Sequence, residues 1–447
     1  MGNMEGTLKP ERVLTKQKRI AELAIQYKGK PLTSLNHYLD EEWLRYAYEL
    51  TRKDGAVGVD GQTATEYASN LQANLKSLLD RIKSGKYKAQ PARRVYVPKA
   101  DGSKRPLGIP AFEEKVAQRA IVLLLEPIYE QDFKDCSFGF RPGKSPHQAL
   151  QQLRTDIMER DGRWIIDVDL RRFFDTIDKG KLRNLIAKRV GDGVVRKMID
   201  KWLKAGVLEN GQITRSFLGT AQGSVCSPLL ANVYLHYALD EWFYNEVLPR
   251  LKRRASLIRF CDDFVMMFED YSDCVRVQRV LAARMGRFAL TLHEAKTRLV
   301  DFRPKRPQNL ANEQATTFNF LGFTHVWGKS RKGNNVVRQY TAKDRYSKAV
   351  KALNEWCRTN RHRPIAEQHG KLKVKIQGHY AYYGITGNSK RLRWYVDQAQ
   401  RTWQKWLSRR SRNGVIQWEH FNKMLQRFPL PQPRIVHQYA RPSEAAS

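Results

Sequence analysis

Residues 256–270 read SLIRFCDDFVMMFED, and this stretch decides how the rest of the chain is interpreted. A short apolar run leads into the adjacent pair Asp262 and Asp263, and a second run, FVMMF, leads away from it. Short runs of apolar, aromatic and β-branched residues on either side of a break are typical of two buried strands. The stretch therefore predicts a β-hairpin with two carboxylates at its tip.

Adjacent carboxylates at such a tip are costly, because like charges raise each other's pKa and burial penalises an unpaired charge. A divalent cation offsets this cost, and Mg²⁺ prefers carboxylate oxygens. A tight Asp-Asp turn in water is the alternative, and for an isolated pair it is the commoner explanation. The hydrophobic flanks argue against a surface turn, so both interpretations stay open at this point.

Composition narrows the class of partner. The 447 residues, 41 % of them hydrophobic, suffice for two to four domains with a substantial core. Lys and Arg number 80 against 45 Asp and Glu, a formal net charge of +35. A protein with such a surplus of positive charge binds polyanions. Nucleic acid is the leading candidate, because the release of counterions makes binding more favourable for each phosphate that is neutralised. An anionic membrane is the rival.

The sequence argues against a membrane-spanning protein and against a protein stabilised by disulfides. No apolar run approaches the roughly 20 residues needed to span a bilayer, and no N-terminal signal pattern is visible, so no membrane partner is expected. Five widely spaced cysteines without a C-x-x-C pair support neither a disulfide framework nor a zinc ribbon. A reducing, cytoplasmic location is the simplest expectation.

Two further stretches bear on the chemistry. Residues 164–170, WIIDVDL, predict a strand with Asp167 and Asp169 on one face, because side chains alternate with period 2. Residues 92–110, ARRVYVPKADGSKRPLGIP, predict a basic hairpin with its turn at Asp101-Gly102. An edge hairpin blunted by Lys and Arg is the structural alternative for this second stretch. Residues 318–324, FNFLGFT, predict one short strand.

Helical spacing accounts for most of the remainder, with helices expected over residues 37–53, 67–83, 112–129, 145–158, 181–205 and 271–288. Beyond residue 328 the chain becomes strongly basic. Residues 329–375 hold 14 Lys and Arg against 3 Asp and Glu, and aromatic residues are interleaved with them. The pattern predicts a separate α-helical domain, in which many aromatics pack in the core and the basic surplus faces phosphates.

Together these stretches suggest a reaction. One carboxylate from residues 164–170 and one or two from the Asp262-Asp263 pair can hold two Mg²⁺ ions. Two such metals clamp the attacking and leaving oxygens of an in-line phosphoryl displacement. The basic hairpin would then neutralise a triphosphate, since positioning and charge compensation are most of what this chemistry requires.

The order of the motifs carries a family resemblance. The blocks are GVDG at 58–61, VPKADGSKRPLGIP at 97–110, SFGFRPGKS at 137–145, DVDLRRFFDTID at 167–178, TAQGSVCSPLLANVYL at 220–235, RFCDDFVMMF at 259–268, HEAKT at 293–297, FNFLGF at 318–323 and GHYAYYGITGN at 378–388. In this order they resemble a group II intron-encoded reverse transcriptase/maturase. The resemblance covers residues 55–412.

The resemblance implies an α+β fold: a right-hand polymerase, with fingers and an antiparallel palm sheet, plus an α-helical thumb or maturase domain X. The implied organisation is an N-terminal extension (1–90), fingers and palm (91–328), thumb/domain X (329–425) and a C-terminal tail (426–447). No Cys pairs or H-N-H cluster follow domain X, so the endonuclease-lacking type is expected.

The resemblance also assigns roles to individual residues. It makes Asp169, Asp262 and Asp263 the catalytic ligands of two Mg²⁺ ions, with Asp167 a structural neighbour. The residues implied to contact the incoming nucleotide are Lys99, Arg105, Phe174, Gln222, Gly223 and Lys296. Phe174 would block a 2′-hydroxyl, with Phe173 as the alternative. Lys296 would either donate a proton to pyrophosphate or only contact phosphate.

Two departures from the family pattern stand out. The usual Tyr-Ala-Asp-Asp is Phe260-Cys261-Asp-Asp here, which removes a hydroxyl and adds a thiol beside the metals. The loop that usually contains Pro-Gln-Gly reads Ala-Gln-Gly-Ser. Metal binding should survive, because both carboxylates remain, whereas fidelity and nucleotide handling are expected to differ.

Three functions fit these patterns. The first is an RNA-directed DNA polymerase of a prokaryotic cytoplasm that also binds its group II intron RNA and assists splicing and mobility. Its partners would be an RNA template, a DNA primer or target and dNTPs, while the sequence leaves the oligomeric state open. The second is a free-standing relative with a host role in DNA repair or phage defence. The third is an RNA-binding splicing cofactor without polymerase activity, which the intact carboxylates disfavour.

Overall fold

The computed structural model of the chain describes residues 10–98, 104–214, 219, 223–304, 317–330, 332–411 and 414–439. The chain divides into two compact units. Unit 1 comprises Met1–Ala149 and Ile166–Leu299, and unit 2 comprises Leu150–Ile165 and Val300–Ser447. Helices and mainly antiparallel sheets occur together, which confirms the predicted α+β class.

The described helices are α1 (Pro10–Gln26), α2 (Glu41–Glu49), α3 (Ala64–Ala68), α4 (Leu71–Lys83), α5 (Phe112–Tyr129), α6 (Pro146–Glu159), α7 (Phe173–Thr176), α8 (Lys179–Ala187), α9 (Gly193–Ala205), α10 (Ser227–Leu235), α11 (Tyr271–Gly286), α12 (Lys343–Asn360), α13 (Ile365–Tyr383), α14 (Ser389–Leu407) and α15 (Trp418–Arg427). The described strands are β1 (Ala92–Pro98), β2 (Lys104–Ile109), β3 (Trp164–Asp169), β4 (Val207–Glu209), β5 (Gln212–Thr214), β6 (Ala255–Phe260), β7 (Asp263–Phe268), β8 (Arg298–Asp301), β9 (Phe318–Phe320), β10 (Phe323–Lys329) and β11 (Asn335–Thr341).

The predicted central hairpin is confirmed. Strands β6 and β7 pair antiparallel with Phe260 opposite Asp263, and both are largely buried. The sheet order is β6-β7-β3-β8, so the strand that carries Asp169 is the hydrogen-bonded neighbour of β7. The stretch also starts the next element, because Asp270 caps α11 by accepting a hydrogen bond from Asp273 N at 3.0 Å.

The basic hairpin forms a second sheet in unit 1. Strands β1 and β2 pair antiparallel with Val97 opposite Arg105, and the sheet order is β2-β1-β4-β5. The predicted turn at residues 101–102 lies outside the described residues. The GVDG block packs on the end of β2: a Cβ on Gly58 would come within 2.4 Å of the backbone of Ala111.

Local capping explains where helix predictions were too long. Residues 181–205 form two helices, α8 and α9, because the Asp192 carboxylate accepts hydrogen bonds from Val194 N and Val195 N and so starts a new helix. Residues 67–83 likewise divide between α3 and α4, and residues 37–53 contribute only the shorter α2. Helix α5 matches its predicted bounds.

In unit 2 the prediction of one strand over residues 318–324 was wrong. Strands β9 and β10 form a tight hairpin there, because Leu321 (φ 49°) and Gly322 (φ 78°) both adopt the left-handed conformation that two-residue turns require. Strand β11 then pairs with β10, so residues 335–341 are extended where helices were expected. The predicted boundary at 328/329 falls inside β10.

The helices α12 to α15 share one buried core. Trp403 and Ile376 are fully buried within it. The segment after α15 packs back onto this unit: Val436 N donates to Gly384 O at 2.7 Å, and Thr386 N donates to His437 O at 3.1 Å. Among the described helices, none combines the length and apolar character needed to cross a membrane.

Candidate active site

The tip of the central hairpin is a two-residue turn formed by Cys261 and Asp262. Cys261 has φ 58°, the left-handed conformation that lets a two-residue turn follow the twist of its strands. Its side chain is only 3 % exposed. The chain therefore presents the Asp262 carboxyl group from a tightly constrained turn rather than from a surface loop.

The SFGFRPGKS block packs directly on this turn. A Cβ on Gly139 would lie 2.5 Å from Cys261 N, so only glycine allows this approach. Arg259 N donates to Cys136 O at 2.7 Å, and Phe138 N donates to Arg259 O at 2.8 Å. These bonds extend the hairpin by one short parallel bridge and leave the turn little freedom.

Burial raises the pKa of Asp262 above its usual value. The Cys261 thiol donates a hydrogen bond that lowers this pKa, the negative charge of Asp169 raises it, and the positive charge of Arg105 lowers it. Asp169 from β3 and Arg105 from β2 are thus within electrostatic reach of Asp262. Cys261, which stands where the resembling motif usually has alanine, thus supplies a hydrogen-bond donor to the carboxylate.

Asp169 at the end of β3 is held by the HEAKT block. His293 N donates to Asp169 O at 2.8 Å, and Lys296 N donates to His293 O at 2.9 Å, so main-chain hydrogen bonds tie this block to the end of the strand. The Lys296 ammonium group lies 2.8 Å from Asp169 Oδ2. The fold therefore brings Asp169, Asp262, Arg105 and Lys296 to one place.

Asp167 occupies a different environment, although it shares a face of β3 with Asp169. Its carboxylate pairs with Arg298 at 3.3 Å. Burial raises the pKa of Asp167, and Arg298 lowers it. With Arg298 as its partner, Asp167 has the contacts of a structural ion pair.

The two phenylalanines after β3 differ in exposure. Phe173 is 2 % exposed and packs in the core, whereas Phe174 is only partly buried; their rings meet edge to face at 5.3 Å. Gly219 packs against this turn, since its Cβ would lie 3.0 Å from Asp175 O. Phe174 is thus the accessible member of the pair.

The second glycine-containing loop meets the basic hairpin. Gly223 has φ 109°, and its Cβ would come within 2.8 Å of Gly108 O on β2. Gln118 Oε1 on α5 accepts hydrogen bonds from Ser224 Oγ (2.6 Å) and Val225 N (2.9 Å), an interaction that the sequence did not reveal. The predicted nucleotide contacts Lys99 and Gln222 lie outside the described residues.

A buried charge network behind the turn was also missed. The Arg259 guanidinium group forms a bidentate pair with Asp240 (2.8 and 2.6 Å) and donates to Asn232 Oδ1 at 2.9 Å. All three residues are fully buried. The available signal was an arginine inside an apolar strand, since a buried guanidinium group requires a buried carboxylate partner.

The carboxylates can be tested for their fit to a cation. Among the described residues, no cluster of three or more His, Cys, Asp or Glu side chains is suited to hold a metal ion. The negative charge of Asp169 nevertheless acts on Asp262 and raises its pKa, and Mg²⁺ is commonly held by one or two carboxylates together with substrate phosphates. The pair fits that mode, in which substrate oxygens supply further ligands.

Comparison with known proteins points to the same chemistry. Residues 97–325 match the family model described as reverse transcriptase (RNA-dependent DNA polymerase). Protein YkfC of Escherichia coli K12 is 36 % identical over 257 residues, which are 51 % of this chain and 68 % of that protein.

Intron-encoded proteins are similar over comparable stretches. The group II intron-encoded protein LtrA of Lactococcus lactis is 37 % identical over 223 residues, 49 % of this chain and 36 % of LtrA. The mitochondrial nuclear intron maturase 1 of Arabidopsis thaliana is 30 % identical over 95 residues, 21 % of this chain and 13 % of that protein. The chain thus spans about a third of LtrA and a smaller part of the maturase.

The family model covers strand β2, the Asp169 strand, the Asp262 turn and the HEAKT block, which are the elements that build the site. The predicted RNA-directed DNA polymerase and its resemblance to group II intron-encoded proteins are confirmed by these matches. The chain belongs to the reverse transcriptase (RNA-dependent DNA polymerase) family.

Proposed function

We propose that the chain copies RNA into DNA at the turn formed by Cys261 and Asp262, with Asp169, Asp262 and Asp263 as catalytic ligands of two Mg²⁺ ions. The observation that carries the proposal is the convergence of the Asp169 and Asp262 carboxylates with Lys296 and Arg105. Asp263, the first residue of β7, is the remaining member of the proposed triad.

When bound, the cations would activate the attacking hydroxyl and neutralise charge on the transferred phosphate. The chain's own residues would provide positioning and charge, which dominate phosphoryl transfer. Arg105 on β2 and Lys99, which lies outside the described residues, would contact the triphosphate. Gly223 and Gln222 would lie against the template and the nucleotide, where the close approach of Gly223 to β2 leaves no room for a side chain.

Lys296 has two possible roles in this reaction. It would either donate a proton to the departing pyrophosphate or neutralise its charge. Lys296→Arg separates them, because arginine keeps the positive charge but holds its proton too tightly to donate it. A phosphate contact predicts near-normal kcat for this variant, whereas proton donation predicts a large loss of kcat with little change in KM for dNTP.

Phe174 is the proposed barrier to a 2′-hydroxyl. Its partial exposure supports this choice over the buried Phe173. A residue that excludes a hydroxyl must reach the substrate sugar.

Primer extension tests the polymerase proposal. Purified protein with an RNA template, a DNA primer, Mg²⁺ and dNTPs should extend the primer, and Asp262→Ala should abolish extension. Asp135→Ala is the matched control, since that carboxylate is 96 % exposed and pairs with Lys144 at the surface. Undiminished extension by Asp262→Ala would overturn the assignment.

We further propose that the protein binds a group II intron RNA and assists its splicing and mobility. Its similarity to LtrA and to a protein named as an intron maturase supports this. Binding the folded RNA would stabilise it by mass action. The protein should then lower the Mg²⁺ concentration that its cognate intron needs for splicing, and Asp262→Ala should leave that effect largely intact.

A free-standing host role in DNA repair or phage defence is the second candidate. Intron RNA domains flanking the reading frame would support the intron role, and their absence would support the host role. In either role we expect association with nucleic acid in the cytoplasm.

A further inference from the structure

The Arg259 guanidinium group contacts the main chain of the Asp262 turn as well as its buried partners. Besides Asp240 and Asn232, its Nη1 donates to Cys261 O at 3.1 Å. That carbonyl belongs to the peptide that joins Cys261 to Asp262. One side chain therefore links the core to the peptide from which the Asp262 carboxyl group projects.

The two side-chain partners of Arg259 come from helix α10 and from the helical turn that continues it. Asn232 lies on α10, and its Nδ2 donates to Gly139 O at 2.6 Å. Gly139 is the residue whose backbone packs against Cys261. Asp240 ends the π-helical turn His236–Asp240 that continues α10. Such turns are rare and concentrate at functional sites, where the additional residue redirects a side chain.

Burial makes this arrangement costly unless it is complete. Arg259, Asp240 and Asn232 are each 0 % exposed, so every unmade hydrogen bond would carry its full desolvation cost. A hydrophobic replacement of similar volume often stabilises a protein as well as a buried ion pair does. Stability alone therefore does not require the network, whereas fixing the peptide plane beside a metal ligand does.

We infer that Arg259, held by Asp240 and Asn232, is a positioning residue that sets the orientation of the Asp262 carboxylate for cation binding. The inference rests on the proposed role of Asp262 as a metal ligand. Arginine suits the task because its planar fork can bond Asp240, Asn232 and the Cys261 carbonyl at once. Lysine would keep the charge opposite Asp240 but lacks this geometry.

Arg259→Lys tests the inference in the full-length protein. We expect kcat to fall, and the Mg²⁺ concentration for half-maximal extension to rise, by roughly 10- to 100-fold, as is typical when a partner of a metal ligand is removed. The KM for primer–template should stay within about twofold, because the network is buried beneath the turn. Mn²⁺ binding, followed by electron paramagnetic resonance without nucleotide or primer, should weaken to a similar degree.

Arg189→Lys is the matched control for reduced stability. Arg189 is 2 % exposed, pairs with Asp132 at 2.7 Å and donates to three main-chain carbonyls near the end of α1. The same substitution there should lower the melting temperature comparably and leave the Mg²⁺ dependence unchanged. Assays run about 10 °C below the lower melting temperature keep both variants folded.

Asn232→Leu provides a second test if Arg259→Lys does not fold. It removes the links to Arg259 and Gly139 while keeping the Arg259–Asp240 pair, and a smaller shift in the same direction is expected. If Arg259→Lys or Asn232→Leu folds and keeps the wild-type dependence on Mg²⁺ and Mn²⁺ while Asp262→Ala is inactive, the inference about Arg259 is overturned and the proposed function stands. Full activity of Asp262→Ala would instead overturn the proposed function on which it rests.

Discussion

The hairpin β6–β7 and the helices α12 to α15 use charge in opposite ways. At the hairpin, Arg259 and Asp240 are fully buried and joined by two hydrogen bonds. On α14, Lys390 and Arg391 lie about the ring of Trp394, at 5.1 and 4.9 Å from its centroid, and that ring is 41 % exposed.

This difference teaches where single substitutions should matter. A buried charge with directional partners fixes geometry, and removing one partner leaves the other uncompensated. The affinity that exposed cations give for nucleic acid depends on how many there are, because each neutralised phosphate adds a similar, salt-dependent increment to binding. Changes near the hairpin should therefore be large and specific, whereas changes on α14 should be small and additive.

The largest effect is expected for Asp169→Asn. Primer extension should fall by about 10³-fold, since removal of a metal ligand takes away several kcal/mol of transition-state stabilisation and each ~1.4 kcal/mol is tenfold in rate. Asp167→Asn is the matched control on the same face of β3, where Arg298 is the partner. It should change the rate only a few-fold; equal decreases in the two variants would remove the distinction between these aspartates.

Phe174→Ala should alter sugar selectivity rather than rate. Without the ring, incorporation of ribonucleotides relative to deoxyribonucleotides should rise by roughly 10- to 100-fold, the range that pocket shape alone can discriminate. The ratio of kcat/KM for rNTP and dNTP measures this. Phe173→Leu should lower the melting temperature without changing that ratio, and a selectivity change confined to Phe173→Leu would transfer the role to the buried ring.

A buried carboxyl group on α5 should give unit 1 an unusual pH response. Burial raises the pKa of Glu114 to about 7, although it accepts hydrogen bonds from Trp202 Nε1 (2.8 Å) and Gln90 N (3.1 Å). The folded state takes up this proton near pH 7, and the unfolded state only near its ordinary value. Glu114 therefore contributes more stability as pH falls from 8 to 5.5, by roughly 2 kcal/mol.

Glu114→Gln should abolish that contribution, which denaturant unfolding of the wild type and the variant at both pH values would reveal. Parallel curves of unfolding free energy against pH for wild type and Glu114→Gln would contradict the assignment to Glu114.

His379 on α13 should change stability with pH in the opposite direction. Burial lowers the pKa of His379 to about 4, so its contribution is present above the ordinary histidine pKa and is lost as pH falls toward 4.

The smallest effect is expected on α14. Lys390→Gln with Arg391→Gln should weaken RNA binding a few-fold at moderate salt and reduce the slope of log K against log [salt] by about 0.7 for each single-strand phosphate that the variant no longer neutralises. Extension on saturating primer–template should be unchanged. Lys423→Gln is the control on α15, since that ammonium group already pairs with Glu419 at 3.2 Å. Identical salt slopes in all three proteins would argue against a phosphate-binding role for α14.

Much of the fold could be predicted because local patterns determine it. The apolar runs around Asp262 and Asp263 predict β6 and β7, and the bounds of α5 follow from its nearly continuous apolar surface. Turn chemistry was harder: the hairpin at Leu321-Gly322 depends on two successive left-handed residues, which the FNFLGFT pattern does not reveal. Strand β11 was missed because its alternation is short and belongs to a segment in which helical spacing otherwise dominates.

In the site, too, local sequence patterns predicted some features and not others. Ordered motifs indicated Asp169, Asp262, Arg105 and Lys296, and the fold brings them together. The supporting hydrogen bonds join residues that are far apart in the chain: Gln118 bonds Ser224, and Asn232 bonds Gly139. No local periodicity encodes such pairs, because they arise only once the elements have packed.

The most direct test is a crystal structure of the protein with an RNA template, a DNA primer, a non-hydrolysable dNTP analogue and Mn²⁺ in place of Mg²⁺. Anomalous scattering would locate the ions independently of assumptions about the site. We predict two Mn²⁺ peaks, each about 2.1 Å from carboxylate oxygens of Asp169 and the Asp262-Asp263 pair, with the Lys296 ammonium group moved from Asp169 to phosphate. Ions bound elsewhere, with Lys296 still paired to Asp169, would contradict the central claim.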